Sequence, residues 1–210
     1  MQSHYDIDYR IRTKAVMDSL EEPVVVRVNE FHAEPLKLFT ESMGKAHRSP
    51  QPVIPVVIDS FGGEVYSLLA MVDLIINSNK PVATIVEGKA MSCGVILAAF
   101  GTNGYRFASE NSTFLIHEVS TFTGGKVEEV KVSAKEAERL NKKIFTMLAK
   151  KCGQPKDYFF KMIHDKKHAD WYIGPKEAKG HNLIDHIGMP EMTLKVSVDY
   201  QFGLNTGRSV

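Results

Sequence analysis

Three short apolar segments, each followed by a helix-like pattern, constrain the fold of this chain more than any other feature of its sequence. The segments span residues 23–28, 53–59 and 81–88, are rich in β-branched residues and each carry a single charged residue. In the stretches that follow them, apolar residues recur at intervals of three and four, as on the buried face of a helix. Apolar strands that alternate with helices indicate a largely parallel sheet covered on its faces. An α/β fold is therefore expected.

The pattern changes after Gly104. Two shorter strand-like runs, YRFAS and STFLIHEV, are followed by a break and then by a long amphipathic helix predicted over residues 126–151. Acidic residues near the start of this helix and lysines near its end suit the helix macrodipole. A short helix over 155–164 and a terminal strand, TLKVSVDY, complete the predicted elements. The last ten residues are expected to be loose.

Composition excludes several classes of protein. The chain has 26 basic and 25 acidic residues, so its net charge of +1 argues against a protein that binds chiefly nucleic acid or an anionic membrane. Two cysteines are too few for a disulfide framework and indicate a reducing compartment. The N-terminus has no apolar run that resembles a secretory signal, and the longest uncharged apolar stretch, 91–101, is too short to span a bilayer. A soluble, cytoplasmic protein is expected.

The turn Ser60-Phe61-Gly62-Gly63 lies between a predicted strand and a predicted helix. Its glycines would let the backbone approach a ligand closely, with N–H groups at the positive end of the helix. Such a turn suits a phosphate or the oxyanion that forms when a carbonyl is attacked. A tight turn that simply needs glycine is the alternative.

Ser92 stands at the next strand-to-helix corner, within the segment GKAMSCG. Small neighbours permit a sharp turn that exposes the hydroxyl, as in a nucleophile elbow. The N–H of Cys93 and that of Gly63 would then be candidate oxyanion donors. The alternative is an N-cap serine, which is the commonest role of serine at the start of a helix.

Two further residues could complete a catalytic group. His117 lies at the end of the strand STFLI, although a single histidine there is more often a surface or core residue. Asp170 precedes Trp171 and Tyr172, which are expected to be core or interface residues. Asp170 could equally cap a helix over 175–180 or be a surface charge.

Four stretches combine these residues in one order along the chain: IDSFGGEV, GKAMSCGVILAAFG, STFLIHE and DWYIGPKEAKGHNLID. They resemble the glycine turn, the serine motif, the histidine strand and the aspartate segment of the Clp protease proteolytic subunit. The similarity extends from about Pro23 to Gly188, with Phe61 in place of the usual proline of the turn. It implies a Clp/crotonase-like spiral of repeated ββα units with a protruding strand-and-helix handle at about 119–151.

The resemblance also divides the chain. Residues 1–22 would form an N-terminal segment, in which Tyr5-Asp6-Ile7 resembles the start of the family's axial loop. Residues 23–188 would form the peptidase domain, and 189–210 a C-terminal strand and tail. Stacked heptameric rings and an AAA+ unfoldase are the partners that the family implies.

The activity implied is a serine endopeptidase that acts on unfolded polypeptides. Ser92 would be the nucleophile, His117 the general base and Asp170 the group that orients the histidine, with Gly63 and Cys93 as the oxyanion hole. Substrate would add as a strand to the edge of the segment 121–126. The residues that would bind it are Gly62, Thr123, Gly124 and Gly125. This chemistry needs no metal and no organic cofactor.

Other interpretations compete with this one. A Ser-Lys dyad, as in signal peptide peptidases, would use Lys142 or Lys143, although lysines there are more simply solvated. A crotonase-type acyl-CoA enzyme shares the spiral fold but would not need the three side chains together. A ring subunit without activity and a viral Clp-like protease of capsid maturation are further alternatives. The pair His164 and His168 has metal-ligand spacing but no evident third ligand.

Overall fold

The computed structural model describes residues 23–120, 123–167 and 169–191. The predicted terminal strand, the N-terminal segment and part of the predicted substrate edge lie outside this range. The described elements are β1 (Val26–Val28), α1 (Ala33–Arg48), β2 (Ile54–Ser60), α2 (Val65–Ile76), β3 (Val82–Met91), α3 (Cys93–Ala99), β4 (Arg106–Ala108), β5 (Thr113–Ile116), α4 (Val127–Lys151), α5 (Tyr158–Asp165), β6 (Trp171–Ile173), α6 (Pro175–Gly180) and β7 (His186–Ile187).

One largely parallel sheet contains all the described strands, which confirms the predicted α/β class. Its main order is β1-β2-β3-β4-β7, and each neighbouring pair in that order is parallel. The long strand β3 has two partners, because residues 84–86 pair with β4 and residues 89–91 pair with β5. Strand β6 adds to the far side of β5 and is antiparallel to it. The C-terminal half of β3 therefore leads toward the edge where β5 and β6 end.

The two faces of the sheet differ in what they contact. Side chains such as Val56, Ile58 and Val86 are fully buried in the core formed with the helices. The alternate side chains of the same strands, among them Val57, Ile85 and Phe107, line an open apolar groove of about 490 Å³. This alternation follows from the two-residue period of a strand.

The long helix α4 begins and ends within one residue of the prediction, but only its second half is buried. Its buried residues are Leu140, Ile144, Phe145, Leu148 and Ala149. Val127, at its first turn, is 69% exposed. The predicted apolar stripe therefore packs on the core toward the C-terminus and leaves it toward the N-terminus, as expected for the handle. No helix within the described residues is both long and apolar enough to cross a bilayer.

The predicted segment after residue 170 contains two strands, β6 and β7, that the sequence did not indicate, since strands of two or three residues show no usable alternation. An ion pair secures this segment to β4. Arg106 is almost fully buried and bonds the Asp185 carboxylate at 2.5 and 2.9 Å. Burial alone would raise the pKa of Asp185, but the Arg106 guanidinium outweighs it and holds that pKa below its usual value.

Candidate active site

Ser92 occupies a strained backbone position between β3 and α3. Its φ is 54° and its ψ is −117°, a conformation that residues other than glycine rarely adopt. Its N–H donates to the Leu115 carbonyl oxygen at 2.9 Å, which ties the corner to β5. Its side chain makes no capping hydrogen bond with α3. The backbone geometry is therefore that of a nucleophile elbow, with Ser92 half-buried, and gives no support to the N-cap alternative.

The glycine turn packs directly against this corner. Gly62 and Gly63 have φ values of 108° and 147°. A Cβ added at Gly62 would lie 2.6 Å from Ser92 Cβ, and one at Gly63 would lie 2.5 Å from the Phe31 carbonyl oxygen. Both positions therefore exclude side chains, and the turn lies as close to Ser92 as backbone atoms allow.

The two predicted oxyanion donors line the same cavity as Ser92. Cys93 is the first residue of α3, where backbone N–H groups have no acceptor within the helix. The N–H of Gly62 donates to Ser60 Oγ at 3.0 Å, so of the two glycines Gly63 is the one that remains a candidate donor.

The register of β5 and β6 leaves His117 and Asp170 just beyond the same end of their ladder. The last described pair is Ile116 with Trp171, and His117 and Asp170 are the next residues along the two chain segments. His117 is half-buried and lines the cavity with Ser92, whereas Asp170 is exposed and lies outside the cavity lining. Asp170 does not cap α6, whose N-cap is Gly174.

The three side chains are not hydrogen-bonded to one another. Within the described ranges, no hydrogen bond joins Ser92 to His117 or His117 to Asp170. The structure thus brings Ser92 and His117 to one cavity and leaves Asp170 exposed just beyond the end of the β5–β6 ladder. Catalytic hydrogen bonds commonly tighten only when substrate binds.

The cavity beside Ser92 is small and mostly apolar. Its volume is about 60 Å³. Its apolar walls come from α2, α3 and α4: Val65, Leu68, Ile96, Ile144 and Phe145. Asn141 adds a polar side chain from α4. Neither Phe145 nor Asn141 was singled out in the sequence, because on a charged amphipathic helix nothing distinguishes a residue that faces a cavity from one that faces the core.

Cys93 is a packing residue rather than a candidate nucleophile. It is buried, and its Sγ donates to the Gly63 carbonyl oxygen at 3.2 Å. Burial raises the pKa of this thiol to about 11. The thiol is therefore protonated at neutral pH, and protonated thiols are poor nucleophiles.

The lysines of the dyad alternative lie elsewhere. Lys142 and Lys143 are exposed on α4 and do not line the cavity with Ser92. This placement agrees with solvated side chains and gives the dyad no support.

Phe61, which departs from the family's proline, points into solvent and is 74% exposed. Lys89 lies over its ring, with Nζ 4.4 Å from the centroid, and also bonds Asp59 at 2.6 Å. The glycine turn itself is held by a hydrogen bond from the Glu64 N–H to the Phe31 carbonyl oxygen at 2.6 Å. The substitution therefore leaves the turn anchored to the segment that follows β1.

The predicted substrate edge is described only in part, since Thr121 and Phe122 lie outside the described residues. Thr123 lies beside α4, where its Oγ1 accepts a hydrogen bond from Ser133 Oγ at 3.4 Å. Gly124 and Gly125 lead into the N-cap of α4 and belong to no strand. His168, which has metal-ligand spacing with His164, also lies outside the described residues.

Two comparisons show the family to which the chain belongs. The Clp protease family model matches residues 13–191. The ATP-dependent Clp protease proteolytic subunit of Deinococcus radiodurans is 34% identical over 140 residues, which cover 67% of this chain and 67% of that protein. The chain therefore belongs to the Clp protease family and is, by that membership, a serine-type peptidase.

Proposed function

We propose that this chain is an endopeptidase that hydrolyses unfolded polypeptides with Ser92 as nucleophile, His117 as general base and Asp170 as the group that orients the imidazole. The observation that carries the proposal is the positive φ of Ser92 at a corner that shares one cavity with His117. A strained residue at such a corner persists only where the surrounding structure imposes it, which is typical of catalytic positions.

The reaction follows from the roles of these groups. A serine hydroxyl is a weak nucleophile at neutral pH, so His117 would take its proton as Oγ attacks the peptide carbonyl carbon. His117 would then return the proton to the leaving amine, and water would hydrolyse the acyl group from Ser92 by the same route. The N–H groups of Gly63 and Cys93 would bind the developing oxyanion, and each contributes about 3 kcal/mol to lowering the barrier.

Asp170 would act through His117. Its position just beyond the same end of the β5–β6 ladder as His117 supports a hydrogen bond that the imidazole N–H would donate to the carboxylate. This bond would select the tautomer and stabilise the imidazolium. In this proposal, the hydrogen bonds between Ser92 and His117 and between His117 and Asp170 form when substrate binds. The substrate would lie extended along Gly62 and along the edge formed by Thr123, Gly124 and Gly125.

Assembly and partners belong to the same proposal. The exposed side chains Val127 and Val132 on the first half of α4 would be covered in a stack of heptameric rings, which would enclose the active sites. The description of the Deinococcus radiodurans relative as ATP-dependent supports feeding by an AAA+ unfoldase. Two free, buried cysteines support a cytoplasmic location.

Covalent labelling tests the proposed nucleophile. A fluorophosphonate probe reacts with activated serine hydroxyls, so we expect one adduct per chain, located by mass spectrometry on the peptide that contains Ser92. The denatured chain is the control and should not react. An adduct on another serine of the folded chain, or none while a reference serine peptidase is labelled in parallel, would refute the assignment.

Substrate selectivity should follow from the cavity. Its volume of about 60 Å³ is well below the roughly 150 Å³ of a cavity that holds benzene, so the cavity would favour a small aliphatic side chain over an aromatic one. We therefore expect kcat/KM to be at least about tenfold higher for peptides with valine before the cleaved bond than for peptides with tryptophan there.

The Phe145→Leu variant checks this size limit by enlarging the cavity. Leucine is chosen because truncating a buried phenylalanine to alanine costs about 3–5 kcal/mol of stability. The ratio of kcat/KM between the valine and tryptophan peptides should fall toward one. A wild-type preference for tryptophan, or an unchanged ratio in the variant, would show that this cavity does not receive that side chain.

A further inference from the structure

Asn141 forms a two-point clamp on the chain directly after His117. Its Nδ2 donates to Glu118 Oε1 at 3.0 Å, and its Oδ1 accepts the N–H of Val119 at 3.2 Å. Asn141 lies on α4, 22 and 23 positions along the chain from its two partners, and all three residues are half-buried. The clamp therefore joins α4 to the segment that leaves β5.

The segment needs such a support because the strand ladders end before it. The last described pairs of β5 are Leu115 with β3 and Ile116 with β6, so His117 is the first residue beyond the sheet. Glu118 and Val119 come next, and both line the cavity with His117 and Asn141. A contact that fixes Glu118 and Val119 therefore also restricts where the adjacent His117 backbone can lie relative to Ser92.

We propose that Asn141 is a positioning residue for His117, which fixes where the imidazole lies in the cavity that it shares with Ser92. The inference rests on the proposed function, since it presumes that His117 is the general base. A misplacement of about 1 Å in a catalytic group can cost about 100-fold in rate, so a clamp two residues away has a measurable effect.

Only an amide fits the two partners as they stand. The clamp needs a donor toward the Glu118 carboxylate and an acceptor toward the Val119 N–H, and the amide of asparagine supplies one of each. In an Asn141→Asp variant, the new carboxylate can still accept from Val119 but meets Glu118 as a like charge. Adding the change Glu118→Gln restores complementarity, because the amide that it introduces can donate to the new carboxylate on α4.

The test is a double-mutant cycle of four proteins: wild type, N141D, E118Q and E118Q/N141D. Peptide hydrolysis is measured for each, together with the rate of fluorophosphonate labelling and the Tm, and rates are expressed per folded chain. We expect N141D to lower kcat and the labelling rate about 30-fold while KM changes less than about threefold. The double variant should regain at least a third of the wild-type kcat. E118Q keeps an oxygen that accepts from Asn141, so its loss should be much smaller than that of N141D.

Lys150→Ala is the matched control, since Lys150 is exposed on the same helix, lies outside the cavity lining and should leave the kinetics unchanged. A wild-type labelling rate in N141D would overturn the inference, as would a double variant that folds normally but is not rescued. A loss confined to Tm, with normal kcat per folded chain, would also overturn it by showing a structural role only. If instead the wild-type chain itself fails to label at Ser92, the proposed function fails and not merely the role of Asn141.

Discussion

Ser92→Ala is expected to reduce peptide hydrolysis by about 10⁴-fold or more, because removal of the nucleophile of a catalytic triad has costs of that order or larger. The oxyanion donors and the binding cavity remain in this variant, so only the slow attack by water is left. The measurement is kcat/KM for a fluorogenic peptide together with cleavage of an unfolded protein.

The change should leave the architecture intact. Alanine keeps the Cβ that lies against the glycine turn, and the Ser92 hydroxyl makes no capping bond that would be lost. We therefore expect the same native mass and a similar Tm. Ser112→Ala is the matched control, because Ser112 is a buried serine before β5 that lies outside the cavity lining. Undiminished cleavage by the Ser92 variant would end the assignment of Ser92 as nucleophile.

His117→Ala should be nearly as damaging, with a loss of about 10⁴-fold in kcat. Without an adjacent base, the Ser92 hydroxyl keeps its proton and is not activated. The effect is measured most directly as the rate at which the fluorophosphonate probe labels Ser92, which should fall in parallel with peptide hydrolysis.

A second histidine provides the control for this change. His186 is exposed on β7, where it stacks on Phe107, so His186→Ala should leave both rates near those of the wild type. Labelling that persists in the His117 variant would mean that a different group accepts the proton. Lys142 and Lys143 would then need to be tested, although both are exposed and outside the cavity.

Much of the fold was predictable because its determinants are local. The repeated pairing of an apolar strand with an amphipathic helix predicted the parallel sheet, and α4 was predicted to within one residue at its start. Strands β6 and β7 were missed, since two or three residues carry too little periodicity. They form because β5 and β4 offer them backbone partners.

The residues of the candidate site likewise include some that could be predicted from the sequence and some that could not. Ser92, His117 and Asp170 were identified from motifs, and the glycines beside Ser92 from the requirements of a close turn. Asn141 and Phe145 could not be found, because their importance depends on which face of α4 meets the cavity. The motifs likewise could not show that the three predicted catalytic residues are not hydrogen-bonded to one another, because motifs specify residue types but not distances.

The sequence alone determined the order of the longer strands and helices, because hydrophobic periodicity resides in short stretches of chain. It also determined which residues can supply a hydroxyl, an imidazole and a carboxylate. The tertiary structure decided which of those groups meet. The packing of the strands and helices places Ser92 and His117 at one cavity, and the Gly62 backbone packs directly against Ser92 at its strained corner. Both depend on contacts between residues far apart in the chain, and no local pattern encodes such contacts.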